Sequence, residues 1–371
     1  YHLIFIVKIK NNMTICILSN GLTALTLAKA LTKQNIYVDV LYNKKNLNIN
    51  KTRTIGISKS NTDFLNKNII NINKLLWKLK KIEIFSDNLK KEKLIDFERN
   101  NEQIFSIVKN HKLYQVLEHD LSKNKYFKSK LISTKNLSFI KKYDLIVNCD
   151  PLNIITKKFF NKRLVKKYNS NAYTTIITHE KILNNTAVQI FTNKGPLAFL
   201  PISNTQTSVV YSIPNSISET KENIEKLIRD KNIKYKIRNI KKINNFKLGF
   251  LNLRIYYHNN ILAFGDLLHK IHPLAGQGFN MTIRDIKILL NIIKNKLEVG
   301  LPLDKSVSIE FQNNVKHKNL IFSNGIDLIY EFFNAERKIK NNFLSKTVQK
   351  ISNYPSINKI FTKIADRGIF F

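Results

Sequence analysis

The strongest constraint on the fold lies in residues 261–297. Ile261-Leu-Ala-Phe264 is a short, unbroken apolar run, the mark of a strand covered on both faces. It ends at Gly265-Asp266, passes through a turn holding Pro273, Gly276 and Gly278, and enters a helical pattern over about 277–297. Ile283, Ile286, Leu289, Leu290 and Ile293 share one face of that pattern. Strand, glycine-rich turn and helix in this order suit an open α/β sheet, which places ligands beyond the carboxyl ends of its strands. Asp266 stands at such an end, where a carboxylate can accept hydrogen bonds from the hydroxyls of a ribityl or ribose chain. Gly276 and Gly278 let the backbone approach a flat ligand without a Cβ in the way. The helix behind them points unpaired N–H groups and the positive end of its dipole at that ligand.

A second signal opens the chain. Thr14-Ile-Cys-Ile-Leu18 is apolar and ends at Ser19-Asn20-Gly21; Leu22, Ala24, Leu25, Ala28 and Leu31 follow at helical spacing, and Ile36–Leu41 reads as another strand. Strand, turn, helix and strand within some 30 residues make a βαβ unit. The turn matches Gly-x-Gly-x-x-Gly incompletely, with Ser19, Gly21 and Ala24 at the glycine positions. Ala24 suffices where only close helix packing is required. Ser19 is costly if its position demands positive φ.

Between these signals the period changes. Tyr143–Asp150 reads as a buried strand. From about 171 to 258 the apolar residues alternate, as in Tyr173–Thr178, Ala187–Phe191, Gly195–Pro201 and Ser208–Ile213, which predicts a mainly antiparallel sheet. Residues 219–242 read as a charged surface helix with a following linker, and 304–371 as helices rich in Phe and Ile. The expected class is α/β: a Rossmann-like dinucleotide-binding domain in three pieces (13–75, 131–165 and 259–300), an inserted substrate domain (76–130 and 166–258) and a carboxyl-terminal helical region (301–371). Residues 1–12 are expected to lie upstream of the functional start.

The formal charge of +36 suggests a polyanionic partner, but its origin argues otherwise. Of 62 basic residues only nine are arginine, and the lysines are dispersed along the whole chain with Asn and Ile. No module with clustered Arg and interleaved aromatics is present, so nucleic acid is not expected as a partner. Attraction to an anionic membrane surface fits better. Cys16 and Cys149 each sit in an apolar run and read as buried thiols. His269 and His272 have i, i+3 spacing but no accompanying acid or Cys cluster, so no metal is expected. Tyr173, Phe191, Phe199 and Tyr211 either line an apolar pocket or belong to ordinary core. The stretch Phe322, Ile326, Ile329, Phe332 and Phe333 either packs inward or meets a membrane or partner.

The string Gly265-Asp-Leu-Leu-His-Lys-Ile-His-Pro-Leu-Ala-Gly-Gln-Gly-Phe-Asn280 resembles the Gly-Asp-x-x-His…Pro-x-x-Gly-x-Gly-x-Asn motif of FAD-dependent aromatic hydroxylases. In its fuller form, with Arg284-Asp285 after it, it is similar to the branch that hydroxylates polyprenylated phenols in ubiquinone synthesis. Thr52–Ser58, Gly195–Pro201, Asp327–Phe333 and Ala365–Gly368 resemble further stretches of that family, so the likeness runs from Met13 to Phe371.

The resemblance implies FAD held by Ser19, Gly21, Ala24, Arg53, Asp150, Gly265, Asp266, Pro273, Gly276, Gln277, Gly278, Phe279 and Asn280, with Pro273 and Gly276 beside the flavin ring. It further implies an external reductant, NAD(P)H or a ferredoxin-type donor, and hydroxylation of a polyprenylated phenol by O2 through a flavin hydroperoxide. A cytoplasmic location, peripheral to the inner face of the membrane, and a place in a quinone-synthesis complex are compatible with it. Departures cluster on the adenosine side: Tyr42 stands where the family has an acid, and Asn148-Cys149-Asp150-Pro151 retains only the acid of Gly-Ala-Asp-Gly. Weak FAD binding with retained chemistry, or a non-catalytic member of a quinone-synthesis complex, both follow from that erosion. A flavin reductase or halogenase of the same fold is the remaining class; Trp77, the sole Trp, stands in no halogenase-type motif.

Overall fold

In the computed structural model, which describes residues 14–43, 50–89, 92–98, 102–132, 138–215, 220–272, 276–339, 343–352, 363 and 366, the chain opens with β1 (Thr14–Leu18), α1 (Leu22–Thr32) and β2 (Tyr37–Tyr42). Next come β3 (Thr54–Ser58), α2 (Lys59–Asn68), β4 (Trp77–Leu79), β5 (Lys81–Ser86), β6 (Lys93–Glu98) and β7 (Phe105–Lys109). α3 (Asn110–Ser122), β8 (Phe127–Leu131), β9 (Ile146–Asn148) and α4 (Ile154–Phe159) lead to the long β10 (Arg163–His179). A meander of β11 (Thr186–Thr192), β12 (Gly195–Pro201) and β13 (Gln206–Pro214) precedes α5 (Lys221–Lys231), β14 (Ile237–Ile240) and β15 (Asn244–Leu253). The chain ends with β16 (Tyr257–His258), β17 (Ile261–Ala263), β18 (His269–Lys270), α6 (Gln277–Glu298), α7 (Lys305–Ile339) and α8 (Phe343–Ser352).

Three distant stretches of sequence assemble one six-stranded sheet in the order β16-β17-β9-β1-β2-β8, parallel except for β16. Parallel strands are covered on both faces, which is why β17 and, after Thr14, β1 carry apolar residues at every position. Ile15, Cys16, Ile17, Leu262 and Ala263 are completely buried. Ala24 and Ala28 on α1 are also at 0% exposure, their small side chains letting the helix lie close to the sheet.

The inserted sheet runs β18-β15-β10-β13-β12-β11-β5-β6, with β14 also on β10, and is antiparallel apart from the β11–β5 pair. β10 pairs with both β13 and β15, and its register on β15 shifts between Lys167 and Asn171. Asn169 lies inside that shift with φ of 48°, so the strand bends there while continuing. The alternation along β10–β13 sorts the side chains onto two faces. Phe199, Tyr211 and Val209 lie in one core with Ile224 and Ile228 of α5, while Phe191, Tyr168 and Phe250 face Tyr330 and Phe333 of α7. Of the aromatic residues proposed from sequence to line a pocket, Phe199 and Tyr211 are therefore core beneath α5. Phe191 stacks on Phe333, ring centroids 3.6 Å apart.

Three sequence expectations change. Of the charged helix and linker expected over 219–242, the helix ends at Lys231 and the linker contains a strand, Ile237–Ile240, on β10. The strand expected from Tyr143 is confined to Ile146–Asn148. The apolar positions of α7 divide: Phe322 packs with Ile271 and Met281, Ile326 and Phe333 pack on the inserted sheet, and Leu328 and Ile329 are 71% and 46% exposed.

The α6 helix is joined to the small antiparallel sheet β3-β7-β4 by a single side chain. Asn280, at 0% exposure, donates from Nδ2 to the Gly56 carbonyl (3.0 Å), while its Oδ1 accepts from Ser58 N (3.0 Å) and Asn61 Nδ2 (2.9 Å). Asp366 closes the same corner: its Oδ1 accepts from Ser60 N at 2.9 Å and its carbonyl from Ser58 Oγ at 2.8 Å. Replacing Asn280 by Ala leaves buried donors and an acceptor unpaired on three residues, each costing about 1–3 kcal/mol. Urea unfolding of Asn280→Ala should show a loss of about 3 kcal/mol; a loss below about 1 kcal/mol would contradict this role.

Candidate functional site

The carboxyl ends of β1, β2, β9 and β17 converge on one edge of the parallel sheet. At the β1 end the chain makes its tightest turn. Ser19 has φ of 126°, in the region that favours glycine, and its backbone N–H donates to the Leu41 carbonyl at 3.0 Å. The Ser19 hydroxyl accepts from Gly21 N at 3.1 Å, and Gly21 is the residue from which α1 departs. A small, solvent-open cleft borders this turn, lined by Leu18, Ser19, Leu41, Tyr42, Asn43 and Asp150, among others. Tyr42 contributes no carboxylate, and Asp150 is the acid present. Asp150 is set by an asparagine-rich corner: Asn148 Oδ1 accepts from Asp150 N (3.1 Å), Asn153 caps α4 through Thr156 N (2.8 Å), and Thr156 Oγ1 donates to the Asp150 carbonyl (2.6 Å). Asp150 Oδ1 accepts from Leu152 N at 2.8 Å.

Gly265 ends β17 with φ of 65°, and a Cβ there would lie 2.6 Å from the Thr23 methyl of α1. The turn thus seats the third piece of the sheet directly on the first helix and leaves Asp266 exposed at the sheet edge. Pro273 lies outside the described residues. Gly276 has φ of 63° and precedes α6 without any side-chain cap. A Cβ on Gly276 would approach Gly56 N to 3.3 Å, so two backbones meet here with no room for a larger residue. A Cβ on Gly278 would meet nothing within 4 Å.

The expected cofactor residues therefore fall into two groups. Ser19, Gly21, Asp150, Gly265, Asp266, Gly276 and Gly278 stand along the ligand edge of the sheet or at the entrance to α1 or α6. The other side chains are engaged within the protein: Ala24 is packed under α1, Gln277 Oε1 accepts from Arg284 at 3.4 Å, Phe279 packs on the main core, and Asn280 is the staple to β3. Arg53 is exposed, with its guanidinium 5.9 Å from the Phe246 ring of β15. Sequence reading missed Gly56, where a Cβ would collide with the Phe105 ring of β7; an isolated glycine in Thr-Ile-Gly-Ile-Ser was the available sign of such crowding.

Behind the turn, the two histidines have different tasks. His269 Nε2 lies 2.7 Å from Asp285 Oδ2, both groups buried, and Asn319 donates to Asp285 Oδ1 at 3.1 Å. This chain of contacts ties β18 to α6 and α7. His272 is 1% exposed and stacks on Tyr330 at 4.2 Å, with Tyr168 edge-on at 5.3 Å; neither ring nitrogen has a hydrogen-bond partner. Burial likewise pushes the thiols of Cys16 and Cys149 well up, and they stay protonated.

The edge fits a flavin dinucleotide. Bare amides at the start of α6, glycines without neighbours at 278, and a free carboxylate at 266 suit the ring and ribityl chain. The cleft at Asp150 suits the nucleotide end, with less polar recognition.

This is the fold of the FAD-dependent aromatic monooxygenases: the chain superposes on PqsL from Pseudomonas aeruginosa, a probable FAD-dependent monooxygenase, with TM-score 0.70 at 14% identity, covering 92% of this chain and 100% of that one. In sequence it is related to the ubiquinone-biosynthesis monooxygenases. It is 23% identical to COQ6 of Drosophila melanogaster over 265 residues, 59% of this chain and 55% of that protein. It is 30% identical to the 3-demethoxyubiquinol 3-hydroxylase of Escherichia coli over 152 residues, 39% of each. The chain spans about half the length of the curated relatives it matches. No family model matches it.

Burial holds the His272 ring at about 3, because the charged form loses its water. In the unfolded chain the ring takes up a proton near the ordinary value of about 6.5. Unfolding therefore binds a proton between those limits, so the contribution is complete above about pH 6.5 and is lost as pH falls, by up to about 1.4 kcal/mol per unit. His272→Phe should show a flatter acid limb in denaturant unfolding between about pH 6.5 and 4.5. Parallel limbs for the two proteins would mean that the imidazole is not buried in neutral form.

Proposed function

We propose that this protein is an FAD-dependent monooxygenase that hydroxylates the aromatic ring of a polyprenylated phenol in ubiquinone synthesis, using O2 and an external reductant, NAD(P)H or a ferredoxin-type donor. The observation that carries this reading is the uncapped amino end of α6 behind Gly276, aimed along the sheet edge beside Asp266. Relatedness to ubiquinone-biosynthesis monooxygenases supports the substrate class.

When bound, FAD supplies the redox chemistry, accepting electrons from the reductant and passing one oxygen atom of O2 to the ring. The protein's part is to bind, orient and exclude water. The amides and dipole of α6 stabilise negative charge at the ring end. Asp266 would accept hydrogen bonds from the ribityl hydroxyls, and Asp150 from the nucleotide end. Tyr168, Tyr330 and the neutral His272 fill the space between the inserted sheet and α7 with mutually stacked, buried rings. A prenyl tail requires access from lipid: the exposed Leu328 and Ile329 of α7, together with the excess of lysine, support peripheral contact with an anionic membrane. Among the described residues no helix is long and apolar enough to cross a membrane.

Purified protein should be yellow, or become so with added FAD, and should release FAD on denaturation. It should also restore ubiquinone in a bacterial strain lacking one of the ring hydroxylases, and the strain rescued identifies the ring position. Protein that stays colourless in excess FAD, yet rescues a strain whose own hydroxylase is present but unstable, would instead support a non-catalytic member of a quinone-synthesis complex.

A further inference from the structure

One amide at the entrance to α1, that of Gly21, is already occupied by the protein. Ser19 Oγ accepts from Gly21 N at 3.1 Å. Gly21 itself offers no side-chain cap, and the first turn of α1 carries no acid. Ser19 is held in position by its backbone bond to Leu41, the last buried residue of β2 before the cleft. Its φ of 126° is one that glycine adopts freely and serine does not. The strain is therefore maintained by the surrounding turn, with the hydroxyl bond as partial compensation. Across the cleft, Tyr42 replaces the carboxylate that would grip a ribose, while at the ring end α6 starts without a side-chain cap among the described residues.

We infer that Ser19 is an internal competitor for the diphosphate of FAD, and that it sets which form of flavin this protein holds. The inference rests on the flavin reading above. An N–H of this kind has one hydrogen to give: a phosphate oxygen receives it only after the Ser19 hydroxyl turns away. Binding energy then comes mainly from the ring end, which FAD, FMN and riboflavin share. The native protein discriminates weakly among the three, and removal of the hydroxyl restores preference for the dinucleotide.

The test is a titration of apoprotein with FAD, FMN and riboflavin, followed by quenching of flavin fluorescence, for native protein, Ser19→Ala and Ser19→Gly. Both variants should bind FAD about tenfold more tightly than native, the scale of one hydrogen bond to a charged group, while riboflavin affinity stays within about twofold. Thermal unfolding of the three apoproteins reads the strain separately: Ser19→Gly should melt above Ser19→Ala, because alanine keeps the unfavourable φ and glycine relieves it. An unchanged or weaker affinity of Ser19→Ala for FAD overturns the inference, since the hydroxyl would then be indifferent to the phosphate or a ligand for it. Equal tightening for riboflavin overturns it as well, by showing that the change acts elsewhere than at the diphosphate. If none of the three proteins binds any flavin, the flavin reading itself fails and this inference falls with it.

Discussion

The contact between Gly276 and Gly56 is the constraint on which the rest of the site depends. Two backbones approach so closely that a Cβ on Gly276 would stand 3.3 Å from the Gly56 amide nitrogen, and only a left-handed residue leaves α6 in the required direction. Asn280, one turn further on, then bonds both sides of the junction: Gly56 O on the strand and Gly276 O at the start of the helix. The consequence is functional. Because the polar side chain of this turn is committed inward, the helix reaches the ligand edge with its own amides uncapped, and those amides are the source of the positive potential there.

A protein with a formal charge of +36 might be expected to direct that charge at its ligand, yet the site uses little of it. Arg53 leans over Phe246 on the inserted sheet, Arg284 is half-buried against Gln277 and Phe322, and the lysines are dispersed along the chain. Positive potential at the sheet edge comes from helix ends, and the side chains named there are acids, Asp150 and Asp266. Fixed dipoles cost no reorganisation when charge develops, whereas mobile lysines in water do little to stabilise it. The basic surface is thus separable from the chemistry.

What the sequence made legible follows from how each feature is encoded. The strand–turn–helix at 261–297 and the unit at 14–41 were readable because burial on both faces leaves unbroken apolar runs and glycine marks the turns. β12 was readable to the residue because its hairpin begins at Gly195 and its alternation is clean. β14 was hidden, since two isoleucines three apart in a lysine-rich segment satisfy a helix as well as an edge strand. The roles of individual side chains were harder. Asn280 sits in a ligand-binding motif, but the atoms it bonds belong to β3 and α2, more than 200 residues away in sequence, and no local pattern discloses a partner at that distance. The aromatic residues of the inserted sheet were sorted onto its two faces only by register, and a single bend at Asn169 is enough to defeat counting along β10.

The two ends of the site differ in a way that separates structure from affinity. The ring end is built by elements that the fold needs anyway: α6 is anchored by Asn280, Gly265 is packed on Thr23, and His269 with Asp285 and Asn319 ties β18 to both long helices. Substitution there disturbs the core, so the geometry persists as long as the protein folds. The nucleotide end carries no such burden. Ser19, Tyr42 and Asp150 border an open cleft, and the side-chain bonds of Ser19 and Asp150 there are local turns, to Gly21 N and Leu152 N. Composition can drift at that end with little effect on folding, which is where the departures from the hydroxylase pattern are found. A flavin site assembled this way retains its chemistry longer than its grip on the cofactor.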